Sequence, residues 1–131
     1  MTTAEMAGAD TFPKLLARHA AVRGARPAFR HKDLGIWQTW TWAEVNSLVR
    51  AYALGLSRLG LKREDRVAMI MLDTVDFPVL FWGAIRAGII PVPLNPLLAA
   101  AQYRYILEDS RATVLFVSAA LLPVARESSR M

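Results

Sequence analysis

The residues that could bind a nucleotide phosphate are glycines, because a glycine-rich loop presents its backbone amides to the phosphate oxygens. Two pairs have the spacing Gly-x-x-x-x-Gly, namely Gly55 with Gly60 and Gly83 with Gly88. Neither pair precedes Lys-Ser or Lys-Thr, and both lie within or at the end of a predicted helix. The Gly-x-Gly-x-x-Gly pattern of dinucleotide folds is also absent from the sequence. We therefore predict helix packing and helix C-caps at these glycines, and no phosphate loop.

Two carboxylates, Asp73 and Asp76, follow a predicted parallel strand, which is where α/β proteins form ligand sites. A commoner role is capping of the helix that begins near Val75, and we favour that interpretation. His19 and His31 have no carboxylate at metal-ligand spacing, so we interpret each as a surface or turn residue. No serine stands in a Gly-x-Ser-x-Gly elbow. The sequence thus predicts no catalytic residue, no cofactor-binding residue and no metal ligand in this chain.

Three tryptophans, Trp37, Trp40 and Trp42, alternate along what we predict to be the second strand of a hairpin. Aromatic rings in such a row could stack on a nucleotide base or on an aromatic ligand. Packing of a hairpin onto a neighbouring helix is the commoner reason for such residues. We favour packing for all three side chains.

The first part of the chain is predicted to form a helix and a hairpin. Apolar residues at helical spacing indicate a short helix over residues 11–22. Two extended runs, residues 28–31 and 37–40, are separated by turn residues that end at Gly35, and they indicate a β-hairpin.

A capping-box pattern, Thr41 with Glu44, predicts the start of a long helix that ends before Gly60. One face of this helix is apolar and should be buried. The residues predicted for that face are Val45, Leu48, Val49, Tyr52, Leu56 and Leu59.

The second half alternates strands with helices. The predicted strands are residues 66–72, 89–93 and 113–117, and the predicted helices are residues 75–87, 100–109 and a segment from Leu121 onward. Such alternation implies a parallel sheet with right-handed crossovers. The predicted fold class is therefore α/β, with an N-terminal helix, a β-hairpin and a long helix followed by a β-α-β-α-β parallel unit. A length of 131 residues fits a single domain over residues 1–131.

Composition limits the class of protein. Hydrophobic residues make up 54% of the chain, so a core can be buried. The net charge is +5, but the basic residues are scattered, and we predict no nucleic-acid partner. The weakly charged residues 112–125 are too few for a membrane helix of ~20 residues, so we predict no transmembrane segment. Because cysteine is absent and residues 1–10 lack an apolar signal run, we expect a cytoplasmic protein.

Several segments of the second half, taken in order, resemble a known family. They are RVAMIML at 66–72, DTVDF at 73–77, FWGAIRAG at 81–88, PVPLN at 91–95 and YILEDS at 105–110. Together they resemble the start of adenylate-forming acyl/aryl-CoA ligases, the AMP-binding synthetases. Residues 54–124 look most like benzoate–CoA ligases. Residues 28–45, with HKDLGIWQTWTW at 31–42, look more like bacterial long-chain acyl-CoA synthetases.

The resemblance implies a fold and a reaction. The fold would be the first subdomain of the ligase N-terminal domain, truncated before the phosphate loop. In the full-length family, ATP and a small aromatic or fatty acid give an acyl-adenylate and pyrophosphate, and CoA then displaces AMP. ATP, Mg and CoA are thus implied for the family and none of them for this fragment. The family's phosphate loop and catalytic lysine lie downstream, and Lys14, Lys32 and Lys62 do not match the lysine's position.

The sequence departs from the family pattern at one helix start. Family members commonly place a threonine and then an acid before the helix that ends in Tyr-Ile-Leu, whereas this chain has Ala99 and Ala101. A lost N-cap costs on the order of 1 kcal/mol. We therefore expect this helix to form but to be less stable than its counterparts.

Three functional hypotheses follow. We favour a truncated ligase that serves as scaffold only and is not catalytic. The alternative is a stand-alone interaction module that docks with itself or with a separate chain through its exposed sheet edge. A small nucleotide-binding domain is the weakest of the three. We also expect apolar surface around Phe77, Phe81, Trp82 and Phe116 to be open, because the first helix, the hairpin and the long helix should together cover only one face of the sheet. The isolated fragment should then self-associate or need the missing remainder.

Overall fold

A computed structural model describes residues 7–130, and residues 1–6 and 131 lie outside the described residues. Most of the N-terminal segment for which we predict no secretory signal, residues 1–10, therefore falls outside them. The predicted α/β class is confirmed, and element boundaries differ from the predictions by one or two residues. The elements are α1 Phe12–Arg23, β1 Pro27–Asp33, β2 Ile36–Thr41, α2 Trp42–Arg58, β3 Arg66–Ile70, α3 Asp76–Arg86, β4 Ile90–Pro93, α4 Ala100–Ser110, β5 Val114–Val117, a 3-10 turn Ala119–Leu121 and α5 Leu122–Arg130.

The central sheet has three parallel strands in the order β4-β3-β5. The middle strand, β3, is a continuous apolar run because both of its faces are covered, and four of its five residues are fully buried. Side chains of α2 and α3 pack with Val67 and Met69 on one face. Side chains of α4 and α5 pack with Ala68 and Ile70 on the other face.

The hairpin lies outside this sheet, and β1 pairs only with β2 among the described strands. Its turn is the dipeptide Leu34-Gly35, and both residues have positive φ, of 46° and 79°. That conformation matches the twist of a two-residue hairpin turn, and glycine adopts it without strain. Phe29 and Trp40 of the hairpin pack against α2 and α3 rather than against a sheet strand. We predicted that the hairpin and its flanking helices would leave one sheet face open; in the structure, helices pack on both faces.

Helix α2 begins with the predicted capping box. Thr41 Oγ1 accepts from the Glu44 amide at 3.2 Å, and Glu44 Oε2 accepts from the Thr41 amide at 2.7 Å. Most of the predicted apolar face is buried or half-buried. Leu59 is the exception, with 65% of its surface exposed, because the helix ends at Arg58 and Leu59 serves as its C-cap.

Helices α2 and α3 cross closely at Gly83. A Cβ at this position would lie 2.9 Å from the Cβ of Tyr52 and 3.3 Å from the carbonyl oxygen of Val49. Only a residue without a side chain fits, so Gly83 has the packing role that we predicted. Gly60 and Gly88 have positive φ of 85° and 76° just after helix ends, which confirms their predicted capping roles. Gly55 is different, because a Cβ there would meet nothing within 4 Å.

The aromatic residues that we expected to be open are half-buried. Phe77, Phe81 and Phe116 pack against the cluster that joins β3 to α2 and α3, and Trp82 packs beside Phe29. The large apolar side chains that are more than half exposed lie elsewhere: Phe12, Val22, Leu34, Ile36, Trp37, Leu54, Leu59, Leu97 and Tyr105. In the described part of the chain, no helix combines the length and the apolar character needed to cross a membrane.

Candidate functional site

A shallow cavity lies where β3 ends, between the hairpin and the start of α3. Its volume is about 290 Å³. The lining residues come from β1, the β3–α3 loop and the first turn of α3: Phe29, Arg30, His31, Asp73, Thr74, Val75, Phe77 and Pro78. We call this space the β1–α3 cavity. It occupies the carboxyl end of a parallel strand, the usual position of ligand sites in α/β proteins.

The two carboxylates of the β3–α3 loop have separate roles. Asp73 lines the β1–α3 cavity. Asp76 is the first residue of α3, and its Oδ1 accepts a hydrogen bond from the Tyr52 hydroxyl at 2.9 Å. No side chain caps α3 at Val75, so the predicted capping role is wrong for both residues. Burial, followed by the bond to Asp76, raises the pKa of Tyr52 to about 12.

The two histidines pack against tryptophans in separate parts of the fold. His31 belongs to strand β1, not to a turn, and its ring centroid lies 4.9 Å from that of Trp40. Its Nδ1 atom is buried and has no hydrogen-bond partner among the described residues. His19 stacks on Trp42 at 4.7 Å. Burial there, and then the nearby charge of Arg23, lower the pKa of His19.

The three tryptophans do not form a stacking platform. Trp40 and Trp42 are half-buried against α1, α2 and α3, as the packing interpretation requires. Trp42 is the first residue of α2 rather than part of the hairpin. Trp37 is 64% exposed, and its contact is with the Lys32 ammonium, 5.9 Å from the ring centroid. Packing is therefore the wrong interpretation for Trp37.

None of the three lysines lines the β1–α3 cavity. Lys14 pairs with Asp10 at 2.6 Å on the surface, Lys32 lies beside Trp37, and Lys62 is not among the lining residues. The described residues also contain no group of three or more histidine, cysteine, aspartate or glutamate side chains that could hold a metal ion. What the cavity does offer is one guanidinium, one imidazole, one carboxylate and one hydroxyl, from Arg30, His31, Asp73 and Thr74.

A second, open cavity has a volume of about 460 Å³, and its lining is almost entirely apolar. It runs between α2 and the edge strand β5, and we call it the α2–β5 groove. Its lining residues are Ala51, Tyr52, Gly55, Leu56, Leu59, Leu80 and Phe116. Sequence reasoning did not identify this groove, because its residues come from three elements that no local pattern connects. The exposed Leu59 and the open position at Gly55 both belong to it.

Comparison with known proteins decides the family. A family model described as "AMP-binding enzyme" matches residues 16–130, which is most of the chain. The chain belongs to the AMP-binding enzyme family. The resemblance seen in the sequence motifs is thereby confirmed.

Individual members of the AMP-binding family show the same relationship. The 4-hydroxybenzoate–CoA/benzoate–CoA ligase of Rhodopseudomonas palustris is 48% identical over 107 residues, which are 82% of this chain and 19% of the ligase. A long-chain-fatty-acid–CoA ligase of Salmonella typhimurium is 36% identical over 104 residues, 78% of this chain and 18% of that ligase. A benzoate CoA ligase from Burkholderia xenovorans superposes with a TM-score of 0.82 and 35% identity, over 91% of this chain and 24% of that chain.

Two facts follow from these matches. The chain spans about a fifth of the length of the ligases that it matches. The match to the Rhodopseudomonas ligase, at 107 residues, is longer than the whole segment from residue 54 to residue 131. Similarity to an aryl ligase therefore reaches into the first half of the chain, where the motifs look more like those of long-chain synthetases.

Proposed function

We propose that this chain is the first subdomain of a carboxylic acid–CoA ligase, and that it supports the catalytic parts without carrying any of them. The observation that carries the proposal is the structural match to a benzoate CoA ligase, which covers 91% of this chain but only 24% of the ligase. The sequence contains no glycine-rich phosphate loop, and no lysine lines the β1–α3 cavity. Charge that develops on phosphate oxygens in that cavity would meet the guanidinium of Arg30, but neither a lysine nor a phosphate loop.

The complete enzyme would form a thioester in two steps. A carboxylate oxygen attacks the α-phosphate of ATP to give the acyl-adenylate and pyrophosphate, and the CoA thiol then displaces AMP. ATP, Mg and CoA belong to this proposal for the complete enzyme. An aromatic acid is favoured over a fatty acid, since the benzoate-using relative is 48% identical and the long-chain ligase 36%. The expected cytoplasmic location is part of the same proposal.

A chimeric enzyme tests this proposal. In it, the present chain replaces the matching N-terminal segment of the Rhodopseudomonas ligase; we call the rest of that ligase the ligase remainder. The chimera should catalyse benzoate-dependent ATP–pyrophosphate exchange, and neither the ligase remainder nor the 131-residue chain alone should do so. Exchange by the isolated chain above a heat-killed control, surviving repurification, would contradict the absence of catalysis. A folded chimera without exchange would contradict the assignment to a CoA ligase.

A second candidate function is a stand-alone interaction module. One edge of β5 has no strand neighbour among residues 7–130, and this favours the second candidate, because an unpaired edge can add a strand from another chain. This candidate predicts that the isolated chain folds cooperatively, either alone or paired with itself, and does not rescue the ligase remainder. The chimera separates the two functions, because only a ligase subdomain should restore exchange.

A further inference from the structure

Three polar side chains that line the β1–α3 cavity have no partner among residues 7–130. Arg30 of β1 and Asp73 of the β3–α3 loop are both exposed, and neither forms an ion pair or a side-chain hydrogen bond with a described residue. The hydroxyl of Thr74 is likewise without a hydrogen-bond partner there. The cavity therefore brings together a positive group and a negative group that the described chain leaves unpaired.

Aromatic rings line the cavity from both of the elements that enclose it. Phe29 belongs to β1, and Phe77 belongs to the first turn of α3. Both rings are half-buried, because Phe29 packs with the core cluster around Val49 and Phe77 packs with the cluster around Met69. Core packing thus fixes both rings as apolar walls of the cavity. The ring of His31 is a further wall, but its unpartnered Nδ1 atom is buried and lies out of reach of a ligand.

The size and the charges of the cavity together define a class of ligand. Its volume of about 290 Å³ is close to the ~300 Å³ at which typical ligand pockets begin, so the ligand is small. A guanidinium binds a carboxylate through charge-assisted hydrogen bonds, and a carboxylate binds an ammonium group in the same way. A simple carboxylic acid would pair with Arg30, but it would leave Asp73 unpaired and would be repelled by it. A zwitterion pairs with both residues.

We propose that the β1–α3 cavity binds a free amino acid that has an apolar or aromatic side chain. Arg30 binds its carboxylate, and Asp73 binds its ammonium group. Its side chain lies between the rings of Phe29 and Phe77. The Thr74 hydroxyl can donate to the carboxylate or accept from the ammonium group. This inference goes beyond the proposed ligase function and does not depend on it, because every residue that lines the cavity belongs to this chain.

A bound amino acid would connect the hairpin to the main body of the fold. Arg30 lies in the hairpin, and Asp73 lies in the loop that follows β3. Among the described strands, β1 pairs only with β2, and the hairpin is held by apolar packing on α2 and α3. A ligand that binds the folded chain and not the unfolded chain raises the melting temperature. Binding should therefore stabilise the fold, and Arg30→Gln should remove this stabilisation.

Titration with L-phenylalanine and three analogues tests the proposal. The 131-residue chain is diluted until light scattering reports a monomer, and its backbone amide signals are followed by nuclear magnetic resonance. The signals of Thr74 and Phe77 should shift and saturate, whereas that of Leu107, in α4 on the opposite face of the sheet, should not. Hydrocinnamate lacks the ammonium group, phenethylamine lacks the carboxylate and glycine lacks the ring. Each should bind roughly tenfold or more weakly than L-phenylalanine. Shifts that do not saturate overturn the proposal.

Two pairs of matched variants locate the binding. Arg30→Gln and Asp73→Asn each remove one charge from the cavity, and each should weaken binding of L-phenylalanine roughly tenfold or more. Lys32→Gln and Asp33→Asn remove the same charges from exposed hairpin residues that do not line the cavity, and each should weaken binding by less than about twofold. All four side chains are exposed, so the variants should fold, and melts without ligand check this. Equal effects of a cavity variant and its control overturn the proposal.

The chimera shows whether the site is open when the ligase remainder is present. Calorimetric titration of the chimera with L-phenylalanine should show one binding event, which Arg30→Gln removes and Lys32→Gln retains. If the free chain binds and the chimera does not, the ligase remainder fills the cavity and the proposal fails; if the free chain does not give a monomer, the chimera decides. Equal affinity for hydrocinnamate and L-phenylalanine makes the cavity a simple carboxylate site and also overturns the proposal. ATP–pyrophosphate exchange is measured separately, so failure of this site and failure of the ligase function are distinguishable.

Discussion

Helices α2 and α4 begin with nearly the same backbone geometry but with different caps. Thr41 has φ −77° and ψ 163°, and Ala99 has φ −75° and ψ 156°. Both helices have a side chain that reaches back to the cap amide: Glu44 at 2.7 Å and Gln102 at 3.0 Å. Only the Thr41 side chain also accepts a hydrogen bond from a helix amide, that of Glu44, since alanine has no side-chain acceptor. The capping box is therefore complete at α2 and half complete at α4.

Substitution at these two caps should act in opposite directions. Thr41→Ala should lower the free energy of unfolding by about 1 kcal/mol, because the Glu44 amide loses its acceptor. Ala99→Ser should raise it by about 0.5–1 kcal/mol, because the serine hydroxyl can accept from the Gln102 amide. Urea denaturation of the two variants and the parent would measure both changes. Superimposable curves for Thr41→Ala and the parent would show that the cap does not limit the stability of α2.

The hydrogen bond between Tyr52 and Asp76 gives stability that depends on pH. The folded pKa of Tyr52, about 12, lies above the ordinary value of 10.0. The folded state therefore holds the phenol proton more tightly, and this stability is complete below pH 10 and is lost as pH rises to about 12. Tyr52→Phe should lower the free energy of unfolding by about 1 kcal/mol at pH 7. The difference between the two proteins should shrink from pH 10 to 12, and a constant difference in chemical melts would contradict this.

At the residue scale, the sequence predicted features that depend on neighbours along the chain. The capping box at Thr41 and the C-cap at Gly60 are such features, and both are present. The role of Asp76 depended on a distant residue. Asp76 meets Tyr52 across 24 positions in sequence, and no local pattern contains that contact. The β1–α3 cavity was missed for the same reason, because strand β1 and the start of α3 are separate in sequence.

At the scale of elements, two glycines in the interiors of α2 and α3 differ in what surrounds them. Gly55→Ala should raise the free energy of unfolding by about 0.5–1 kcal/mol, because alanine favours the helix and its Cβ meets nothing within 4 Å. Gly83→Ala should lower it by about 1–3 kcal/mol, because its Cβ would lie 2.9 Å from that of Tyr52. Thermal melts of both variants would show the contrast. Changes of the same sign would mean that α2 and α3 do not approach closely at Gly83.

The elements themselves were predictable because each has a strong local signal. The apolar run of β3 and the glycines after α2 and α3 gave the boundaries to within a few residues. The prediction of which elements pack on the faces of the sheet was less accurate. We expected the first helix, the hairpin and the long helix together to cover one face of the sheet. The long helix, α2, does pack on that face, but the first helix and the hairpin pack on α2 and α3 instead. Periodicity shows that an element has an apolar face, and it does not show which other element covers that face.

At the scale of the whole molecule, an apolar groove lies beside a strand edge that further polypeptide could cover. The α2–β5 groove is lined by apolar side chains and by Gly55, and β5 is unpaired on one side in the described sheet. The net charge of +5 opposes association of the chain with itself, but salt screens such repulsion beyond ~8 Å at physiological ionic strength. Association should therefore strengthen as salt is added.

We predict that the isolated chain self-associates and binds an apolar-surface dye, and that the chimera binds less dye. Leu59→Lys should weaken association and dye binding, because Leu59 lines the α2–β5 groove and is 65% exposed. Leu97→Lys is the matched control: it adds the same charge at a residue that is 89% exposed but lies outside the groove. Light scattering and dye fluorescence at two salt concentrations would measure both effects. A monomer that binds no dye and melts cooperatively would show instead that this subdomain is stable without further polypeptide. Equal effects of Leu59→Lys and Leu97→Lys would show that the added charge, rather than the groove, controls association.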